Sequence, residues 1–168
     1  VKGLEPAGYD PRVLKGMALG YAVSPRGACH LPATFYIFEL RGVVEPSRVE
    51  GKAALFIKYE DRLTIMDTMI SCRFFRDLIG WEELIKAVQA TTGLEVDAEQ
   101  LQKIASDITT LRRLTKQDDM LPQRFFDEPR TDDGQRIIKD EFLHMLEEYY
   151  SLRGWDKEGK PLKSLIIT

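Results

Sequence analysis

Cysteine is scarce in this sequence: Cys29 and Cys72 are the only two among 168 residues. So few thiols exclude a disulfide-stapled secreted module, which is normally smaller and richer in cysteine. They leave three readings, namely inert buried residues, one disulfide, or a metal ligand, and a reducing cytoplasm is the expected compartment. No apolar run approaches the roughly 20 residues that cross a bilayer, so no membrane span is predicted. Nor does a basic stretch followed by an apolar one mark a secretory leader. Neither sign of charge prevails, with 24 Lys and Arg interleaved among 27 Asp and Glu for a net charge of −3. Phosphate-backbone binding needs a basic stripe that releases counterions, so nucleic acid is not an expected partner. A Gly-rich phosphate loop, paired histidines at helical spacing and a Gly-x-Ser-x-Gly elbow are all missing, which leaves a small hydrolase without a motif. No repeat or low-complexity stretch occurs.

What is present reads as one globular domain with a sizeable core, 43% of its residues being hydrophobic and 30% charged. The sequence opens at Val1 rather than methionine, so a piece of a longer protein is expected. Residues 1–9, with Gly3, Pro6 and Gly8, read as a linker. Asp10-Pro11 has the form of an N-cap followed by a first-turn proline. Leu14, Met17, Ala18 and Tyr21 continue at helical spacing until Ser24-Pro25-Arg26-Gly27 breaks it. Residues 35–40 fit a strand or a helix. A longer helical pattern starts at Ser47 and reaches Asp67 and Cys72. Further helices are predicted before Thr92-Gly93, after Asp97, and from near Asp140 to Gly154, a C′ glycine. Residues 162–168 form a short apolar end. The pattern supports an all-α fold, a multihelical bundle of five or six helices.

Few side chains offer chemistry. Cys72 could give a thiolate to iron or zinc, and Asp67 a carboxylate that accepts two parallel hydrogen bonds. Five positions on a continuous helix turn through about 500°, leaving the two roughly 140° apart. They serve one site only if the helix ends between them or the bound object lies along it. The plainer alternative is a helix-end aspartate and a buried free cysteine. His30 follows a helix terminus and could exchange a proton near neutral pH; a loop histidine with satisfied hydrogen bonds is again the plainer reading. His144 lies off the apolar stripe of its helix and is expected to be exposed. The pairs Phe74-Phe75, Phe125-Phe126 and Tyr149-Tyr150 read as core or domain-contact residues.

The order of local motifs then becomes informative. Lys2-Gly3-Leu4-Glu5 with Tyr9-Asp10-Pro11-Arg12, and the run Leu19-Gly20-Tyr21-Ala22-Val23-Ser24-Pro25-Arg26-Gly27-Ala28-Cys29-His30, resemble the last domain of the tungsten-containing aldehyde ferredoxin oxidoreductases. Asp67-Thr68-Met69-Ile70-Ser71-Cys72 is similar to that family's Asp-x-x-Gly-Leu-Cys segment in its Asp and Cys spacing. Leu121-Pro122, Arg124-Phe125-Phe126, Tyr149-Tyr150 and Arg153-Gly154-Trp155-Asp156 extend the resemblance over essentially the whole chain.

That resemblance implies a three-domain enzyme with a tungsten ion on two pterin dithiolenes beside a [4Fe-4S] cluster. This chain, 1–168, would be its C-terminal helical domain, with 1–9 the linker from the preceding one. Its partners would be the upstream domains, a ferredoxin and an aldehyde, and it could belong to a homo-oligomer. Residue by residue, the resemblance gives Asp67 a bond to the amino-pterin ring and Cys72 an iron of the cluster. Ile70 and Ser71 acquire backbone contacts to the pterin, and His30 a proton-transfer place near the metal. Cys29 is not a ligand by this analogy. A four-iron cluster takes four thiolates, so the remaining ligands must lie upstream and the isolated domain is expected to be inactive. Apolar area is expected around Phe74 and Phe75. One departure stands out. Ile70-Ser71 replace Gly-Leu, and isoleucine is not expected to adopt the positive φ that glycine allows. The competing class, a cofactor-free helical scaffold or protein-interaction module derived from the same fold, rests on this departure alone.

Overall fold

The structure, a computed structural model, describes residues 1–113 and 118–162. Among them are seven α-helices and no strand: α1 (Lys15–Val23), α2 (Tyr36–Leu40), α3 (Lys52–Thr68), α4 (Trp81–Thr92), α5 (Ala98–Arg112), α6 (Arg124–Asp127) and α7 (Lys139–Arg153). The chain is therefore all-α, as the periodicity implies. Five helices have nine residues or more, while α2 and α6 have five and four. The apolar end at 162–168 lies outside the described residues from 163 onward.

Where local chemistry sets a helix boundary, the sequence and the structure agree. Asp97 accepts from the Gln100 amide at 2.8 Å while the Gln100 side chain accepts from the Asp97 amide at 2.9 Å, a reciprocal cap that fixes the start of α5. Gly93 and Gly154 end α4 and α7 in left-handed conformation, at φ 74° and 70°. The two earlier starts differ from expectation. Asp10 accepts from the Arg12 amide at 2.9 Å and closes a turn, so α1 begins only at Lys15. Likewise Gly51, left-handed at φ 70°, delays α3 from Ser47 to Lys52.

Residues 36–40 prove helical, and the reason is tertiary. Glu39 projects from α2 into the bundle, where its Oε1 accepts from the Gly16 amide at 2.8 Å and from Lys52 Nζ at 2.5 Å. Neither the Glu39 nor the Lys52 side chain is exposed to solvent. Lys52 also donates to the carbonyls of Glu45 and Pro46, so three oxygens satisfy one ammonium. A Cβ at Gly16 would sit 2.2 Å from the Phe35 ring. Glycine is thus required for α1 to approach the start of α2 this closely.

Helix α3 is the central element, packing against α1, α4, α5 and α7. Its first half places Ala53 and Phe56 in one apolar cluster with Met17 and Tyr21 of α1, Phe35, and Phe142 and Tyr149 of α7. Its second half places Leu63, Ile65 and Met66 in another, with Leu84 and Val88 of α4 and Leu101 and Ala105 of α5. Between them, Arg153 of α7 bridges Glu60 and Asp61 of α3, at 2.7 Å to each, and the Tyr149 hydroxyl donates to Glu60 at 2.7 Å. α3 is thereby fixed along its length, and so is the point at which it ends.

Candidate functional site

α3 stops at Thr68. The Ile70 amide donates to the Asp67 carbonyl at 3.0 Å and the Ser71 amide to the Met66 carbonyl at 2.9 Å. Together these bonds form the reciprocal C-terminal lock in which the residue after the cap is left-handed. That residue is Ile70, at φ 56°. The expectation that isoleucine would forgo positive φ is thus overturned: both bonds hold the backbone there, although a β-branched residue in this region is strained. Ser71 and Cys72 then leave the helix, and Arg73–Phe75 form one 3₁₀ turn. The helix ends between Asp67 and Cys72, which removes the angular separation a continuous helix would impose.

Asp67 and Cys72 are both exposed, neither being sealed in the bundle. The Asp67 carboxylate lines a cleft of about 570 Å³ that lies between the end of α3 and the loop through Arg26, Cys29 and Leu31, with Arg73 and Arg112 also on its wall. Arg73 forks the carboxylate: its Nε donates to Oδ1 at 2.9 Å and its Nη2 to Oδ2. A third donor, Nη1, reaches the Leu31 carbonyl across the cleft. This fork was not foreseen from sequence, because Arg73 meets Asp67 only once the chain has folded back at Ile70.

The facing loop is shaped by Gly27, at φ 93°, where a Cβ would lie 2.3 Å from the Val1 carbonyl oxygen. The N-terminal residues thus pack on the loop, and Lys2 ties them down by donating to the Ser24 carbonyl at 3.0 Å and to Asp119 at 2.9 Å. Cys29 on the cleft wall is buried, and its sulfur is free. His30 sits half-buried, and neither it nor Cys72 lines the cleft. The His30 ring packs against a stacked pair of tyrosines, with centroids 5.4 Å from Tyr9 and 5.7 Å from Tyr36, whose own rings lie 3.7 Å apart. Burial pushes the His30 pKa below its ordinary value, which favours the neutral imidazole. The sequence reading missed both tyrosines; Tyr36 belonged to the segment whose conformation stayed open.

Large apolar side chains are exposed on both sides of Cys72, as expected, with the charged Arg76 and Asp77 among them. Ile70 is 93% exposed, Phe74 89%, Leu78 75% and Phe75 53%. Contiguous exposed aromatics of this kind mark a contact surface. His144, by contrast, is simply exposed. No group of three or more His, Cys, Asp or Glu side chains capable of holding a metal ion occurs among the described residues. No helix among them is long and apolar enough to cross a membrane.

The structure is thus an all-helical domain with an arginine-paired carboxylate and an exposed thiol at one helix end, beside a cleft and exposed apolar side chains. Residues 1–167 match the protein family described as "Aldehyde ferredoxin oxidoreductase, domains 2 & 3", and the chain belongs to that family. Similar proteins include the tungsten-containing aldehyde ferredoxin oxidoreductase of Pyrococcus furiosus, 31% identical over 172 aligned residues. The same-named proteins of Thermococcus kodakarensis and Pyrococcus horikoshii are 30% and 28% identical over the same length. Each comparison covers 95% of this chain but 28% of the relative, so the chain spans little more than a quarter of the relatives' length.

Proposed function

We propose that this chain is the C-terminal helical domain of an enzyme that oxidises an aldehyde to a carboxylic acid, with ferredoxin as electron acceptor and the cytoplasm as its compartment. In this reading residues 1–9 lead in from the preceding domain, and the polypeptide upstream supplies most of the cofactor site. The observation that carries it is the end of α3, where the exposed Asp67 carboxylate and the exposed Cys72 thiol emerge from a strained turn beside the cleft.

The donor set fits the implied groups. A pterin's amino-pyrimidinone edge presents adjacent N–H donors, and the Asp67 carboxylate already accepts such a pair from the Arg73 guanidinium. The exposed Cys72 sulfur is open to an iron atom, whereas buried Cys29 is not. Asp67 would orient the pterin, with the backbone of Ile70 and Ser71 against its ring, and Cys72 would hold one iron of the [4Fe-4S] cluster. The tungsten bis-pterin and the cluster, when bound, supply the chemistry that takes up and relays two electrons. Aldehyde and water yield acid, two electrons and two protons, and neutral His30 is suited to accept a proton at its free ring nitrogen. Phe74, Phe75 and Leu78 would pack against the upstream domains. The scaffold alternative drew on the isoleucine at position 70, and that residue retains the left-handed turn, so the departure no longer argues for it.

The test is made in the full-length polypeptide purified without oxygen. Changing Cys72 to Ala should abolish or perturb the cluster's visible and electron-spin signals. An unchanged spectrum removes Cys72 from the site, and a wild-type protein without iron or tungsten supports the scaffold.

A further inference from the structure

Arg73 stands where the role of Asp67 requires room. A carboxylate has one edge on which its two oxygens accept a parallel pair of N–H donors, and here the Nε and Nη2 groups of Arg73 fill that edge. A guanidinium and the amino-pyrimidinone edge of a pterin share the same planar N–C–N unit with adjacent N–H donors. The two therefore compete for one edge and cannot both occupy it. A further guanidinium donor, on Nη1, goes to the Leu31 carbonyl, so the side chain also spans the cleft.

We propose that Arg73 is a placeholder for the pterin: it keeps the Asp67 carboxylate paired and aimed at the cleft, and it yields that edge when the pterin binds. The proposal rests on the reading of Asp67 as the pterin acceptor. Three observations support it beyond the contact itself. Arg73 belongs to a three-residue 3₁₀ turn with no buried residue, so its side chain can swing away without disturbing core packing. The pair is partly open to solvent, at 20% exposure for the Arg73 side chain and 38% for Asp67. Exchange therefore does not require the core to open. Finally, Arg73 bridges to the loop that carries His30, so its release removes that hydrogen bond from across the cleft. A placeholder of this kind leaves the acid neither unpaired nor turned away before loading.

An ion pair of this exposure withholds its acceptor by about two- to fivefold. The full-length polypeptide and a differently tagged variant are produced together, so that both draw on one limiting pool of tungsten bis-pterin. Pterin and tungsten per chain are then measured for each after separation. The Arg73→Gln variant should carry about two to five times the wild-type pterin content, and Arg73→Lys, which keeps the charge but cannot fork, should fall between. Helical circular dichroism verifies that each variant is folded, and Arg73→Lys carries the test alone if Arg73→Gln is not. Pterin content equal to or below wild type in the folded variant overturns the placeholder. A separate outcome addresses the underlying reading: Asp67→Asn that loads as fully as wild type removes Asp67 as the acceptor.

Discussion

Replacing Ile70 with glycine should stabilise the chain, although it deletes a large apolar side chain. The residue sits at φ 56°, and L-residues in the left-handed region carry a cost of about 1–2 kcal/mol from the approach of Cβ to the carbonyl oxygen. Because the side chain is 93% exposed, its removal forfeits almost no buried surface. Glycine raises the entropy of the unfolded chain, which takes back about 0.5–1 kcal/mol. The balance is a gain of about 0.5–1 kcal/mol, or about 1–4 °C in Tm for a chain of this size. Ile70→Ala is the control, since alanine keeps the Cβ and most of the strain, and it should stay within about 0.5 kcal/mol of wild type. Urea unfolding followed by far-ultraviolet circular dichroism measures all three. If glycine proves no more stable than alanine, the turn stores no strain and the argument for a held left-handed residue fails.

Other expectations follow from the buried charges and the half-buried histidine. Lys52→Met strands the Glu39 carboxylate in the bundle and should destabilise by about 3–5 kcal/mol in the same unfolding assay. Asp61 is pushed up to about 6, chiefly by burial and against the pull of Arg153, from an ordinary 3.8. The folded chain therefore binds this proton first, and the group's contribution to stability falls as pH rises from about 4 to 6, by on the order of 3 kcal/mol. Asp61→Asn should flatten that segment of the pH–stability curve relative to wild type; two parallel curves would contradict it. In the full-length enzyme, the acidic limb of the turnover profile should lie below 6.5, because burial lowers the pKa of His30 and only the neutral ring accepts a proton. His30→Ala with full turnover would exclude an essential proton-transfer role.

The parts of the fold legible in the sequence are those decided within a turn of the residue concerned. The Asp97–Gln100 cap, Gly93 and Gly154 act on their own helix ends, and each lies where the sequence places it. The starts of α1 and α3 were not legible, because Asp10 closes a turn on Arg12 and Gly51 takes a left-handed conformation that no periodicity reveals. Five-residue α2 was beyond reach for another reason: its anchor, Glu39, meets its partner Lys52 only after the chain has doubled back. At the site, Asp67 and Cys72 could be named from motif spacing, but the helix end that makes them compatible could not. The Arg73 fork and the tyrosines around His30 are likewise products of folding rather than of spacing.

Because α3 finishes at Thr68, the acid is borne by a rigid rod seated in two cores, whereas the thiol hangs from a short hinge outside both. Substitutions that retune the hinge at Ile70 or Ser71 can shift the sulfur while leaving the helix that bears the carboxylate in place, whereas a change at Arg73 also reaches the acid through its fork. The converse does not hold: repacking around Leu63 or Met66 displaces rod and hinge together. Natural or laboratory selection thus has, at Ile70 and Ser71, a handle on the thiol's placement that spares the rod bearing the acid.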